Sequence, residues 1–303
     1  MRASEINAAM RFDSIADEAM QVHASEPLAS FYQLSPFVWR ENGQVHVMIR
    51  AVPYSEDPAQ KIARIYHGTS TDGLIFHMDE SPAIAPGPGP EDRDGCEDPT
   101  VAALSGTTYV YYTGWNQQAR RGCLMLASGP DASHLHKRGV ALESVTGGHN
   151  PKEAEIALAD DKTWRLFFEY AKHDASCIGL ASADRVDEPW SACRPPFERR
   201  PSSWDSWHLS TGPAVTLDGT PVMFYNGATR DAKWRIGWIQ FDPAYSRVLD
   251  RCDEPLIAPP KPKDDDTDIA FAASALNEGD LIRIYYSVAD RYMRRATLRP
   301  SQS

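Results

Sequence analysis

Basic residues and long apolar runs are the two things this chain has least of. Against 42 aspartates and glutamates stand only 31 lysines and arginines, a net charge of −11. A nucleic-acid surface needs clustered cations, so the balance argues for neutral partners and against nucleic acid. No stretch approaches the roughly 20 apolar residues that a membrane-spanning helix requires, so no membrane partner is expected. Residues 1–30 hold no basic segment followed by an apolar core, and thus no secretory signal. Cysteine is scarce as well: Cys96, Cys123, Cys177, Cys193 and Cys252 are odd in number, widely spaced and free of metal-type pairing. A reduced, cytoplasmic protein with no metal and no cofactor is the simplest expectation. No histidine neighbours Cys96 in sequence, which reads as a small buried thiol.

What the chain does have is hairpin chemistry. Turn signals at Asn42-Gly43, Ser105-Gly106, Asp161-Lys162, Asp218-Gly219 and Glu278-Gly279 each precede a β-rich run: Val45 to Ile49, Tyr109 to Thr113, Trp164 to Tyr170, Val222 to Tyr225 and Ile282 to Val288. Successive turns lie 63, 56, 57 and 60 positions apart. So regular an interval marks repeated sheets. A second echo follows each of the first hairpins, in Gly68 to Asp72, Leu126 to Asp131, Leu180 to Asp184 and, more weakly, Gly237 to Asp242. These read as third strands ending in an aspartate turn. Units of about four strands each close as an all-β, five-bladed β-propeller.

The propeller is expected to occupy residues 31–303 as one domain. Met10, Ile15, Ala16 and Met20 fall near helical spacing, so residues 1–30 read as a helical extension packed on the propeller or on another subunit of a homo-oligomer. Pro82 to Pro90, rich in proline and glycine, reads as a long connection and one wall of a site. Asp264-Asp265-Asp266 lacks the glycine and closing glutamate of a calcium loop and reads as solvated. His134 and His136 have no carboxylate or cysteine nearby and read as a surface pair.

In a propeller the first strand of every blade lines the central channel, so residues near those strands converge. The places to inspect are Arg50, Glu97-Asp98-Pro99, the run His149-Asn150-Pro151-Lys152-Glu153-Ala154-Glu155, the run Trp207 to Pro213 with His208, and Asp268-Ile269-Ala270-Phe271. Carboxylates, cations and indoles together suit a carbohydrate: acids handle protons and hydroxyls while aromatic faces cover apolar sugar faces. Trp204 and Trp207 flank Asp205 and read either as stacking rings at the channel mouth or as core packing and loop anchors. Lys152 among acidic and apolar neighbours needs a carboxylate or an anionic ligand to offset its desolvation. Strand alternation puts Glu153 and Glu155 on one face, one as general base and the other as hydroxyl ligand.

In motif order, residues 35 to 298 resemble glycoside hydrolase family 130, the β-mannoside phosphorylases and mannosidases built on a five-bladed propeller. Glu97-Asp98-Pro99 is similar to the family's Glu-Asp-Pro-Arg, with Thr100 in place of arginine. Asn150-Pro151-Lys152-Glu153 resembles its Asn-Lys-Asp with an inserted proline. Gly212-Pro213 and Phe224-Tyr225-Asn226-Gly227 resemble its Gly-Pro and Tyr-His-Gly, with Asn226 in place of histidine. Asp268 to Phe271 and Tyr285 to Asp290 resemble fifth-blade motifs, and Arg50 matches the arginine closing the first hairpin.

The resemblance implies an inverting enzyme acting on β-mannosides or similar short oligosaccharides, with Asp98 as proton donor. Arg50, Glu97, Trp207, Asp268 and Asp290 would hold the sugar. His149, Asn150, Lys152, His208 and Asn226 would serve the side from which phosphate or water attacks. Inorganic phosphate is a co-substrate if the enzyme is a phosphorylase. Inverting hydrolysis instead needs a second carboxylate roughly 6.5 to 9.5 Å from the acid, and Glu153, Glu155 and Asp205 are the candidates. Thr100 and Asn226 bring no charge for phosphate, which places hydrolysis slightly ahead. The rival readings are a non-catalytic sugar-binding propeller and an arabinan- or fructan-type hydrolase.

Overall fold

The computed structural model describes residues 10–143, 145, 147–261 and 266–302. The fold starts from its turns. At Asn42-Gly43, Ser105-Gly106 and Asp218-Gly219 both residues have positive φ, which defines a two-residue type I′ turn whose twist matches the paired strands. In the last hairpin the turn sits one position later, at Gly279-Asp280, because Glu278 already pairs with Leu281. The third hairpin has a longer loop: Leu158 pairs with Trp164, and Lys162 takes the positive φ.

Each hairpin extends into an antiparallel blade, and there are five. Blade 1 comprises Tyr32–Glu41, Gln44–Val52, Arg64–Ser70 and Ile75–Met78, with Gln21–His23 added in parallel at its outer edge. Blade 2 comprises Cys96–Leu104, Thr107–Asn116, Arg121–Gly129 and His136–Leu142, and blade 3 His149–Leu158, Trp164–Lys172, Ala175–Ala183 and Ser191–Cys193. Blade 4 is split across its middle into His208–Ser210, Asn226–Ala228 and Trp234–Ile236 on one side and Ala214–Leu217, Thr220–Met223, Ile239–Phe241 and Val248–Arg251 on the other. Blade 5 comprises Ala270–Glu278, Leu281–Val288 and Tyr292–Gln302.

Its fourth strand is Met10–Ala19, where a helix was expected. This strand pairs antiparallel with Tyr292–Gln302, from Met10 opposite Gln302 to Ala19 opposite Arg294. The helical spacing was misleading because a register shift between Ser14 and Ala16 throws Ile15 outward and breaks a period-two pattern. Phe12 points inward, meeting Phe224 at 5.3 Å and Trp238 at 5.9 Å between ring centroids. The described part of residues 1–30 is therefore built into the propeller, with one 3-10 turn at Leu28–Ser30. Pairing the two ends of the chain closes the ring.

Apolar clusters fill the spaces between neighbouring blades: Tyr66 with Tyr285, Cys96 with Met48, Leu124 with Phe168, and Phe167 with Phe224 and Tyr286. The core thus lies between the sheets, and the axis is left to polar groups. There neighbouring blades are stitched to one another by side-chain hydrogen bonds at every junction. Ser35 Oγ donates to Asp98, Thr100 Oγ1 to the Ala154 carbonyl, Thr211 Oγ1 to the Glu153 carbonyl, Asn226 Nδ2 to the Ala272 carbonyl, and Ser274 Oγ to the Pro36 carbonyl.

Asp264 and Asp265 lie outside the described residues, and Asp266 pairs with Arg291. Among the described residues no helix is long and apolar enough to cross a membrane.

Candidate active site

Every inner strand carries extra residues at the same level. In the first three blades the pairing shifts between Leu34 and Phe37, between Glu97 and Thr100, and between Lys152 and Ala154. Blade 5 shifts between Ala272 and Ser274, and blade 4 breaks between Ser210 and Ala214. A bulge bends its strand and re-aims the unpaired residue. Those residues are Ser35, Asp98 and Glu153, each with φ near +50°, together with Gly212 and Ala273. Around the axis they form a ring, and its acidic members are Asp98 and Glu153.

Asp98 is buried and densely bonded. Ser35 Oγ donates to its Oδ1 at 2.6 Å, Arg50 Nη1 lies 3.3 Å from Oδ1, and Arg50 Nη2 reaches Glu97 Oε1 at 3.0 Å. Burial works to raise the Asp98 carboxyl, but Arg50, the Ser35 hydroxyl and Lys152 outweigh it and hold it below the usual range. Glu153 bonds to Asp98 and goes the other way. Burial, then the Asp98 charge, push its carboxyl well above the ordinary value. Two acids in contact titrate as one unit, and of the two Glu153 is the one that holds its proton to higher pH. Burial also raises Glu97 and Asp290.

Lys152 stands directly opposite Glu169 in the sheet, with Nζ 3.2 Å from Oε1. Glu169 raises the lysine strongly, so it stays cationic. Ser176 Oγ holds the same Glu169 oxygen at 2.7 Å, and the Ser176 amide donates to His208 Nδ1 at 3.1 Å. That bond leaves His208 Nε2 as the ring nitrogen free to act, and burial lowers this histidine.

Two hollows meet at the Lys152–Glu169 pair, which lines both. The first, about 440 Å³, also takes in Ser35, Arg50, Asp98, Glu153 and Asp290, with Tyr32, Trp234 and Phe271 as aromatic wall. The second, about 520 Å³, is lined by Glu97, Thr113, Trp115, His149, Asn150 and His208. Most residues singled out from sequence therefore border one cleft with two lobes. Arg50 ties the lobes together through its pairs with Asp98 and Glu97.

Other named residues lie elsewhere. Asn226 is fully buried and spends its amide on Thr211 and Ala272, so it faces neither lobe. Asp268 sits behind the cleft wall, held by Arg235 at 2.9 Å. Trp207 lines neither lobe; the Arg199 and Arg230 guanidiniums lie 5.6 and 4.6 Å from its ring, and its Nε1 donates to the Asp174 carbonyl. Asp205 is sealed inside blade 4 by Arg200, Arg251 and Tyr225.

Glu155 does not share a face with Glu153, because the bulge interrupts the alternation. It points into the narrow axial space, where its Oε1 accepts the Ala214 amide at 2.8 Å and burial pushes its carboxyl up to about 8. The folded protein keeps this proton between pH 4.5 and about 8, whereas the unfolded chain releases it above 4.5. Stability therefore falls as pH rises through that window. Glu155→Gln keeps the acceptor and removes the titration. It is expected to match the wild type near pH 4.5 and to exceed it at pH 8 by on the order of 4 kcal/mol. Thermal unfolding across that range checks this, and a gap that does not change with pH refutes it.

Sequence reading missed Ser35, Glu169 and Trp234. Ser35-Pro36 stands 63 positions before Asp98-Pro99, the same interval as between the first two hairpins, so the repeat could have found it. Glu169 is the one charge in the run Leu166 to Tyr170. Trp234 carries no comparable signal. Among the described residues no group of three or more His, Cys, Asp or Glu is placed to hold a metal.

The order of motifs around this cleft is matched by one family along nearly the whole chain. Its sequence model, described as beta-1,4-mannooligosaccharide phosphorylase, matches residues 2–299. The chain belongs to glycoside hydrolase family 130. Within family 130, the 1,2-beta-oligomannan phosphorylase of Thermoanaerobacter sp. (strain X514) is 26% identical over 264 residues, covering 82% of this chain and 84% of that one. The beta-1,2-mannobiose phosphorylase of Listeria innocua serovar 6a is 25% identical over 251 residues, 77% of this chain and 65% of that relative's length. The solved structure of the Listeria innocua enzyme with beta-1,2-mannobiose superposes with a TM-score of 0.77 at 18% identity, covering 94% of this chain and 97% of that one. Family 130 membership makes the chain a glycoside-active enzyme on a propeller, and it displaces the arabinan, fructan and purely sugar-binding readings.

Proposed function

We propose that the chain cleaves short β-mannosides with inversion and passes the mannosyl unit to inorganic phosphate. The single observation that carries the chemistry is the buried Asp98–Glu153 carboxyl pair, facing a lobe lined by Arg50, Asp290 and Trp234. Asp98 is the general acid. Glu153 passes its proton to Asp98, which delivers it to the glycosidic oxygen as the bond to the anomeric carbon breaks, and the proton given up by the attacking phosphate recharges the pair. Phosphate oxygen attacks the opposite face and forms the new bond, so a β-mannoside yields α-mannose 1-phosphate and a shortened saccharide. Lys152 and His208, with His149, Thr113 and Ser176 around them, are assigned to the phosphate.

The preference for hydrolysis drawn from Thr100 and Asn226 gives way on two grounds. Both residues are inter-blade stitches, so their lack of charge says little about the cleft. Both relatives carry phosphorylase names, which also makes β-1,2-linked mannosides the first substrates to try. One observation still favours hydrolysis: the second lobe is bordered by Glu97, Glu169 and Asp174 against Lys152, a poor balance for a phosphate dianion. Incubating β-1,2-mannobiose with and without inorganic phosphate, and following mannose 1-phosphate by phosphorus NMR, separates them. Turnover is expected only with phosphate. Free mannose released at the same rate without it would establish hydrolysis instead.

A further inference from the structure

The cleft is longer than the chemistry it has to contain. Its first lobe opens at Tyr32, which lines the wall, and Tyr32 meets Tyr54 edge-on with centroids 5.6 Å apart and planes at 63°. On the other side the Arg291 guanidinium lies 5.6 Å from the Tyr32 ring. Tyr54 itself is 67% exposed, the most exposed of the large apolar side chains among the described residues.

Apart from its edge-on contact with Tyr32, an aromatic ring left this open gains little from the fold. Its placement is nonetheless set. Tyr54 opens the connection from Val52 to Arg64, whose turn is braced by the Asp57 amide on Ser55 Oγ at 3.1 Å and the Ala59 amide on Asp57 Oδ1 at 2.9 Å. Lys61, from the same connection, also lines the lobe. The connection therefore forms a shelf outward from the wall, with an aromatic surface at its start.

We infer that Tyr54 and Tyr32 form a platform for a saccharide unit beyond those held in the lobe, so that the enzyme prefers longer β-mannosides to the disaccharide. Pyranose rings present an apolar C–H face that an aromatic ring covers, while the phenol hydroxyl serves the sugar's own hydroxyls. This rests on the β-mannoside reading above. It adds chain-length selection, which the Asp98–Glu153 chemistry does not supply.

The test is the ratio of kcat/KM for β-1,2-mannotetraose over β-1,2-mannobiose in wild type, Tyr54→Phe and Tyr54→Ala. The wild-type ratio is expected to exceed one, Tyr54→Phe to keep most of it, and Tyr54→Ala to lower it roughly 3- to 10-fold, mainly through KM. A ratio unchanged in Tyr54→Ala, or a wild type with no preference for the longer chain, overturns the inference while leaving the activity standing. If no β-mannoside is turned over, the activity assignment fails separately. The same ratio is then read as Kd by calorimetry with the two saccharides, and equal Kd values overturn the platform.

Discussion

Asp98→Asn is expected to cost roughly 10²- to 10⁴-fold in kcat, the usual contribution of a positioned general acid, with saccharide binding retained. The amide occupies the same space and still accepts from Ser35 and Arg50, but it has no proton to give. Glu153→Gln separates the two partners of the pair. The active form carries one proton between them, and the alkaline limit of the rate is set by its loss from Glu153, whose carboxyl is raised. With glutamine there, the proton must reside on Asp98, which Arg50 and Ser35 favour in its ionised form despite burial. The alkaline limb of the kcat/KM profile should therefore move to lower pH by more than about one unit. A limb that stays put shows that Glu153 takes no part in the protonation, and Asp98→Asn at wild-type rate removes Asp98 as the acid.

Removing residues 1–19 should have the largest effect on stability. It strips the outer strand from blade 5, exposes the edge of Tyr292–Gln302 and uncovers Phe224 and Trp238 beneath Phe12. It also frees Arg294 and Arg295 from Asp17 and Glu18. A fall in Tm of roughly 10 °C or more is expected, since 1 kcal/mol moves a domain of this size by only a few degrees. Aggregation through the bared edge should accompany it. A peptide of residues 10–19 added in trans should restore part of the lost Tm. A truncated chain that melts like the full one would show that the ring is closed by its inner stitches alone.

How much of this was legible in the sequence depended on how local the cause was. Asn42-Gly43 and Asp218-Gly219 announce their turns because positive φ is a property of those residues themselves, and the constant interval between turns then gave the blade count. Met10–Ala19 was misread because its partner lies some 280 positions away, and a one-residue bulge imitated helical spacing. The cleft was legible in its membership, since inner-strand residues of a propeller must converge. It was not legible in its orientation. Alternation put Glu153 beside Glu155, and only the bulge at Glu153, set by the meeting of five strands at the axis, turns one toward the substrate lobe and the other inward. Trp207 and Asn226 were misjudged for a related reason: an indole or an amide fits a sugar and a structural brace equally well, and the choice is made by the arginines or carbonyls that the fold brings up to it.

The ring of bulges gives the molecule five sockets at one depth, of which three carry a side chain with polar chemistry. The two others differ in what they could accept. A methyl group added at Gly212 would lie 1.9 Å from the Phe224 carbonyl oxygen, so that socket is closed by the backbone itself. Ala273 borders the same space, already carries a methyl group and has no positive φ. Serine there is the smallest change that would add a hydroxyl to the narrow space which Asp98 and Glu153 also border.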